Sequence, residues 1–236
     1  MAVNFATIDK LIEEGFLMDS RFNSPAEIAS LVSKSGVTKS MLSLPKMILL
    51  GLMAGAFIAF GGAASDVAMH GVADVGLARV VAGVIFPVGL MLVVFTGSEL
   101  FTGNCLMIIP TLEKKIKVAS MLRNLVVVYI SNFVGAMIID LLITFSGQLN
   151  YSNGGLGAFT IKVALAKTTI NPATAIISGI LCNILVCLAI VMATGATDAI
   201  GKIFGVFFPI CAFVVCGFEH CVANMFYIPI GVMAAM

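Results

Sequence analysis

Charge is scarce in this sequence: Asp, Glu, Lys and Arg make up 11% of its 236 residues, whereas 60% are hydrophobic. An ordinary soluble domain carries about twice that charge and a smaller apolar share. A soluble core of this length cannot hide so much apolar surface, so lipid must cover it. The net charge is +1 with no basic stripe, which excludes nucleic acid as a partner. Zinc-ligand spacing is also absent among the six cysteines. Cys182, Cys187, Cys211, Cys216 and Cys221 lie in apolar stretches and read as small packing residues, so neither metal nor cofactor is expected. The chain start lacks the basic, apolar and small-residue succession of a secretory signal. It carries Asp9, Lys10, Glu13, Glu14, Asp19 and Arg21 among short apolar runs, and is expected to be retained.

Long apolar runs are abundant. Five segments, near 46–66, 80–111, 122–145, 172–194 and 202–236, reach the roughly 20 residues that a helix needs to cross a bilayer. The second and fifth are overlong and interrupted. The reading is an all-α integral membrane protein, with residues 1–45 as an amphipathic helical region and 46–236 as a transmembrane pore domain. Ser24-Pro25-Ala26-Glu27 offers a hydroxyl at N-cap, proline at N1 and a carboxylate at N3, which predicts a helix with Ile28, Leu31 and Val32 on one side. That helix serves either as a lid or subunit contact, or simply rests on the interface. Lys114, Lys115, Lys117 and Arg123 crowd one connection against a single glutamate, so the positive-inside rule makes it cytoplasmic. The N-terminus is then cytoplasmic, the 67–79 and 146–171 connections lie outside, and the chain is multi-pass in the plasma or inner membrane.

An internal repeat organises these spans. Gly83-Val84-Ile85-Phe86-Pro87 reappears as Gly205-Val206-Phe207-Phe208-Pro209, and each is followed by an apolar run that ends in a polar break. Glycine, glutamate and asparagine take the same offsets in Gly97-Ser98-Glu99-Leu100-Phe101-Thr102-Gly103-Asn104 and Gly217-Phe218-Glu219-His220-Cys221-Val222-Ala223-Asn224. Spans two and five run in opposite directions, so the three-span halves, 46–145 and 172–236, are related by inversion. The same symmetry predicts a sixth span after Met236 and leaves the second repeat incomplete.

Breaks in hydrocarbon survive only where protein or a watery cavity satisfies the freed backbone, so both are expected at mid-membrane depth, along a pathway. Their restarting half-helices present partial positive charge to an anion. His220 is the one histidine within a span, and its imidazole can give an anion a hydrogen bond or a proton. Thr102 offers a hydroxyl to the same path, and Asn183, alone among apolar neighbours, is a candidate for the same cavity. Glu99 and Glu219 are read as braces of the loosened backbone. Asn104 and Asn224 are read as braces that cap the restarted half-helices. Phe86, Leu90, Leu100, Phe101 and Phe213 flank the breaks and are suited to dry constrictions, or simply pack. Lys162 and Lys167 precede the fourth span, where a cation draws anions to a pore mouth or snorkels to the interface. Gly51/Gly55 and Gly201/Gly205 have the spacing of close helix contacts.

The two breaks, Phe95 to Asn104 and Gly217 to Met225, resemble the signature loops of the formate/nitrite transporter family, and the resemblance runs from about Ser24 to the last residue. It implies an aquaporin-like fold assembled as a homopentamer with a pore in each protomer. It places the family's central threonine on Thr102, its central histidine on His220, its constrictions on Phe86, Leu90, Leu100, Phe101 and Phe213, and its outer lysine on Lys167. The solute implied is a small monovalent anion, formate being favoured over nitrite, hydrosulfide or lactate-like acids, moving with protons through the lipid bilayer in a pH-dependent way. A neutral-solute channel of the aquaporin kind predicts paired Asn-Pro-Ala breaks, which the sequence lacks. An embedded enzyme using Cys221, His220 and Glu219 places its groups side by side, where they point apart.

Overall fold

The computed structural model describes residues 22–236. The charged stretch with Asp9, Lys10, Glu13, Glu14, Asp19 and Arg21 lies outside the described residues. The first element is α1 (Pro25–Ser40), opened by a reciprocal capping box: the Glu27 amide donates to Ser24 Oγ, and the Ser24 amide donates to the Glu27 carboxylate at 2.7 Å. Its entry is pinned to the far end of a later span. The Asn23 amide donates to Gly195 O at 2.7 Å, Asn23 Nδ2 donates to Thr194 O at 2.9 Å, and Phe22 bridges Ala196.

The first span, α2 (Leu44–Met69), starts at Pro45, where a missing N–H costs nothing. The second begins as α3 (Val75–Ile85), five residues earlier than the sequence suggests, because Asp74 caps it by accepting from the Leu77 amide. It continues past Pro87 as α4 (Val88–Thr96), then restarts as α5 (Phe101–Asn104) and α6 (Ile108–Leu112), joined by a 3-10 turn. The third span is α7 (Val118–Ser146). The connection after it, expected to lie outside, contains a further helix, α8 (Gly155–Thr168). Then follow α9 (Pro172–Gly195), α10 (Ala199–Cys216) and α11 (Cys221–Ala234). Five helices are long and apolar enough to cross a membrane, and 101–112 and 221–234 form shorter apolar helices. The repeated Gly-to-Pro motif has two outcomes: Pro87 divides its span, whereas Pro209 sits inside the unbroken α10.

Close backbone approach holds α2 against α7. A Cβ on Gly55 would lie 1.9 Å from Asn132 O, and one on Gly135 would lie 2.0 Å from Leu52 O, so only hydrogen fits at either position. This contact fixes Asn132, which carries the first break: Nδ2 donates to Gly51 O at 2.7 Å and to Glu99 O at 2.9 Å, and Oδ1 accepts from the Phe101 amide at 2.9 Å. Buried Ala54, Ile58, Phe86, Leu90, Val186, Val206, Ile210 and Phe226 fill the space between the two halves.

Candidate functional site

Both breaks use the same backbone. Gly97 and Gly217 take left-handed conformations, φ +68° and +73°, which only glycine adopts cheaply, and end α4 and α10. Leu100 and His220 are extended, φ −105° and −107°, and start α5 and α11. Glu99 lies beside Leu50, six residues into α2, whose carbonyl accepts from its amide at 3.1 Å. Glu219 lies beside Ser178, six residues into α9, whose Oγ accepts from its amide at 2.9 Å. The sequence places both breaks at mid-depth. In the structure their glutamates lie toward opposite ends of the bundle, because α3–α4 and α10 nearly cross it first, and only the restarting ends meet.

The carboxylates are paired alike. Glu99, 3% exposed, accepts from Lys39 Nζ at 2.6 Å and from Asn104 Nδ2 at 2.7 Å. Glu219 accepts from Lys167 Nζ at 2.9 and 3.1 Å and from Asn224 Nδ2 at 2.8 Å. Each lysine stands five residues before the first residue of the span that follows it, α2 or α9. Asn104 and Asn224 therefore hold the glutamates and do not cap the half-helices; the N-cap positions belong to Leu100 and His220. Lys39 escaped the sequence reading because the repeat was followed only from the spans; extended to the preceding helices, it pairs α1 with α8 and Lys39 with Lys167.

Between the braces, Thr102 Oγ1 and His220 Nε2 meet at 3.1 Å, both side chains buried. His220 Nδ1 accepts from the Ala223 amide at 2.9 Å, capping α11. A nitrogen that accepts carries no proton, so the imidazole is the neutral tautomer with its proton on Nε2, donated to Thr102. The threonine proton is then free to point elsewhere. His220 Nδ1 is occupied, so it gives Cys221 no base. Glu219 bonds Lys167 and Asn224 and makes no bond to His220.

Two cavities meet at His220. One, about 660 Å³, lies on the α8 side and is lined by Asp66, Arg79, Phe86, Lys162, Lys167, Phe213, Glu219 and Tyr227 among others. The other, about 1000 Å³, is lined by Phe101, Thr102, Cys182, Asn183, Cys187 and Cys221, with exposed apolar residues of α9 along one side. Asn183 thus faces the Thr102 side, with its Oδ1 unbonded. Phe86 and Phe213 pack edge to face at 5.7 Å, and the Phe213 ring stacks on His220 at 5.6 Å. Leu90 is buried in the same cluster. Leu100 is buried in that cluster as well, and Phe101 packs against Tyr129 at 4.9 Å. No cluster of metal-ligating side chains occurs among the described residues.

Residues 26–236 match the formate/nitrite transporter family. The chain is 42% identical over 233 residues to a probable formate transporter of Methanothermobacter thermautotrophicus, covering 91% of this chain and 85% of that protein. It is 34% identical over 211 residues to the formate channel FocA of Escherichia coli (strain K12), covering 89% and 74%. Among solved structures it resembles a pentameric formate channel with formate bound (TM-score 0.73, 33% identity, covering 80% of this chain and 75% of that one). It also resembles an FNT family ion channel (TM-score 0.79, 28% identity, 88% and 84% covered).

Proposed function

The chain belongs to the formate/nitrite transporter family, and from that premise we propose that it is a pH-dependent channel or transporter for formate or a similar small monovalent anion. It works as a homopentamer in the plasma or inner membrane, with the α1 end in the cytoplasm and the α8 end outside. The observation that carries this reading is the Thr102–His220 contact at the meeting of two cavities, framed by two mirror-related braces.

An anion entering from the α8 side meets Lys167, whose ammonium is shared with Glu219. It then meets the Phe86, Leu90 and Phe213 constriction, where no donor replaces its water and full charge is costly. Beyond lies the Thr102 hydroxyl. Because Thr102 accepts from His220, its own proton is available to the solute. The imidazole therefore acts by orienting a hydrogen-bond donor, and it keeps its proton as long as it caps α11. The Phe101 and Leu100 constriction repeats the dry passage on the cytoplasmic side, and Asn183 supplies a free carbonyl oxygen there. Crossing as the neutral acid removes the charge cost, so flux rises as the pH on the entry side falls.

Formate flux into liposomes tests the roles. Thr102→Ala and His220→Phe are expected to lower it by about tenfold or more, the effect of deleting an oriented donor. Flux and pH response equal to the parent in both variants would remove the assignment. Competition by nitrite and hydrosulfide at two pH values separates the other solutes of the same family.

A further inference from the structure

A neutral His220 that caps α11 has no proton to spare, so the proton that neutralises an incoming anion comes from another group. The outer cavity is lined by seven titratable or charged groups besides Asp66: His70, Arg79, Lys162, Lys167, Glu219, His220 and Tyr227. Most are committed. Both Glu219 oxygens accept from Lys167, and one also accepts from Asn224. Tyr227 shares its hydroxyl proton with Ser65 at 3.2 Å. His70 bonds Val67 O at 2.7 Å and Ser152 Oγ at 2.8 Å. Arg79 and Lys162 bring basic side chains and no carboxyl.

Asp66 differs from all of these. It sits in α2, 4% exposed, and lines the cavity, yet its Oδ2 has no hydrogen-bond partner. Among the described residues no cation pairs with it; Lys167 pairs with Glu219 and acts on Asp66 only through space. Of the helices packed on α2, α3 brings Arg79, α8 brings Lys162 and Lys167, α11 brings Tyr227, α4 brings no titratable side chain, and α7 brings Asp140, which is buried and does not line the cavity. No donor among the described residues holds that Oδ2, so Asp66 is free to exchange a proton with what occupies the cavity. Glu99 and Glu219 are placed the other way, with each oxygen held by donors.

We propose that Asp66 is the outer proton-exchange group of this pathway, giving a proton to the anion drawn in beside Lys167 and regaining one from the outer water. In the forward step the Asp66 O–H bond breaks and an O–H bond forms on the solute carboxylate, leaving the Asp66 carboxylate and a neutral acid. The carboxylate then takes a proton from the outer aqueous phase. This inference rests on the transport reading above, and the experiment separates the two.

Initial formate uptake into proteoliposomes is measured with the parent and with Asp66→Asn, together with internal acidification. At an outer pH of about 7.5, Asp66→Asn is expected to slow uptake about tenfold, as loss of a general acid does. At an outer pH of about 5 the loss is expected to shrink below about twofold, because more formate then arrives already protonated. Parent-like rates at both pH values overturn the inference and leave the transport reading standing; so does an equal loss at both, which marks a structural role. A parent that moves no formate removes both. Should Asp66→Asn fail to assemble, the parent protein is treated with a hydrophobic carbodiimide and Asp66 is examined by mass spectrometry. Labelling that formate slows supports the proposal, and absence of labelling overturns it.

Discussion

Glu99 and Glu219 occupy matching positions with matching partners, but the residues after them do not match: Leu100 stands where His220 does, and Val222 where Thr102 does. The brace is duplicated because each break needs it, whereas the centre needs one imidazole and one hydroxyl facing each other. The two sets of residues should therefore fail differently. His220 accepts from one amide and donates to one hydroxyl, and an asparagine amide offers an acceptor and a donor of the same kinds, on a shorter side chain and without titrating. His220→Asn is expected to keep flux within about fivefold of the parent and to keep its pH response, whereas His220→Phe loses both bonds. A flat pH profile in His220→Asn would show that the imidazole itself titrates during transport. Glu99→Ala leaves the buried Asn104 amide short of a partner and the Lys39 ammonium, 26% exposed, without its carboxylate, a loss of about 1–3 kcal/mol. Thermal unfolding in detergent should register it as a marked drop in midpoint. Thr102, His220 and the two glutamates are legible from residue order, because glycine and asparagine recur around them. The tautomer of His220 is not, since it depends on which backbone amide the ring faces.

At the scale of elements, spans were legible from apolar length, and their ends were displaced only where local chemistry intervened, as at Asp74. α8 was not legible: Gly155–Thr168 is shorter than a span and interrupted by Thr160, Lys162 and Lys167, and it is ordered by packing against α11, with Gly231 admitting the backbone of α8. The α2–α7 contact couples packing to the pathway. Gly55→Ala drives a methyl into the Asn132 carbonyl, whose side chain holds both Glu99 O and the Phe101 amide. Overpacking of this kind costs about 1–3 kcal/mol. Flux should fall together with stability, and the Thr102–His220 contact should loosen, although neither residue touches Gly55. α1 is tied down differently. Glu113, beyond the span, accepts from Ser33 of α1 and pairs with Lys115 at 2.9 Å, and these bonds hold its carboxyl below the ordinary carboxylate range, Ser33 contributing most. A depressed folded pKa gives a tie that is present above the unfolded value and is lost as pH falls through the folded one. Hydrogen exchange in residues 25–40, corrected for intrinsic rate, should therefore stay constant from about pH 8 to 5 and rise only in stronger acid.

For the whole molecule, the field at the α8-side mouth decides how anions arrive. Family resemblance points to Lys167, but in the structure that ammonium is held by both Glu219 oxygens, so the pair carries little net charge toward solution. Arg79 and Lys162 line the same cavity, are exposed, and form no ion pair among the described residues. Long-range attraction belongs to unpaired charge and fades beyond a Debye length, about 10 Å at 0.1 M salt. Lys167 acts within the cavity, where it holds Glu219 and the second break in place. Two variants separate these duties. Replacing Arg79 and Lys162 together by alanine should raise the formate concentration for half-maximal uptake about threefold at low ionic strength and hardly at all in high salt, with the maximal rate unchanged. Lys167→Ala should lower the maximal rate and the unfolding midpoint at every salt concentration, because it leaves the part-buried Glu219 without its cation. If Lys167→Ala instead reproduces the salt-dependent change and the double variant does nothing, the attracting charge is the paired lysine, and the ammonium must leave Glu219 whenever an anion approaches.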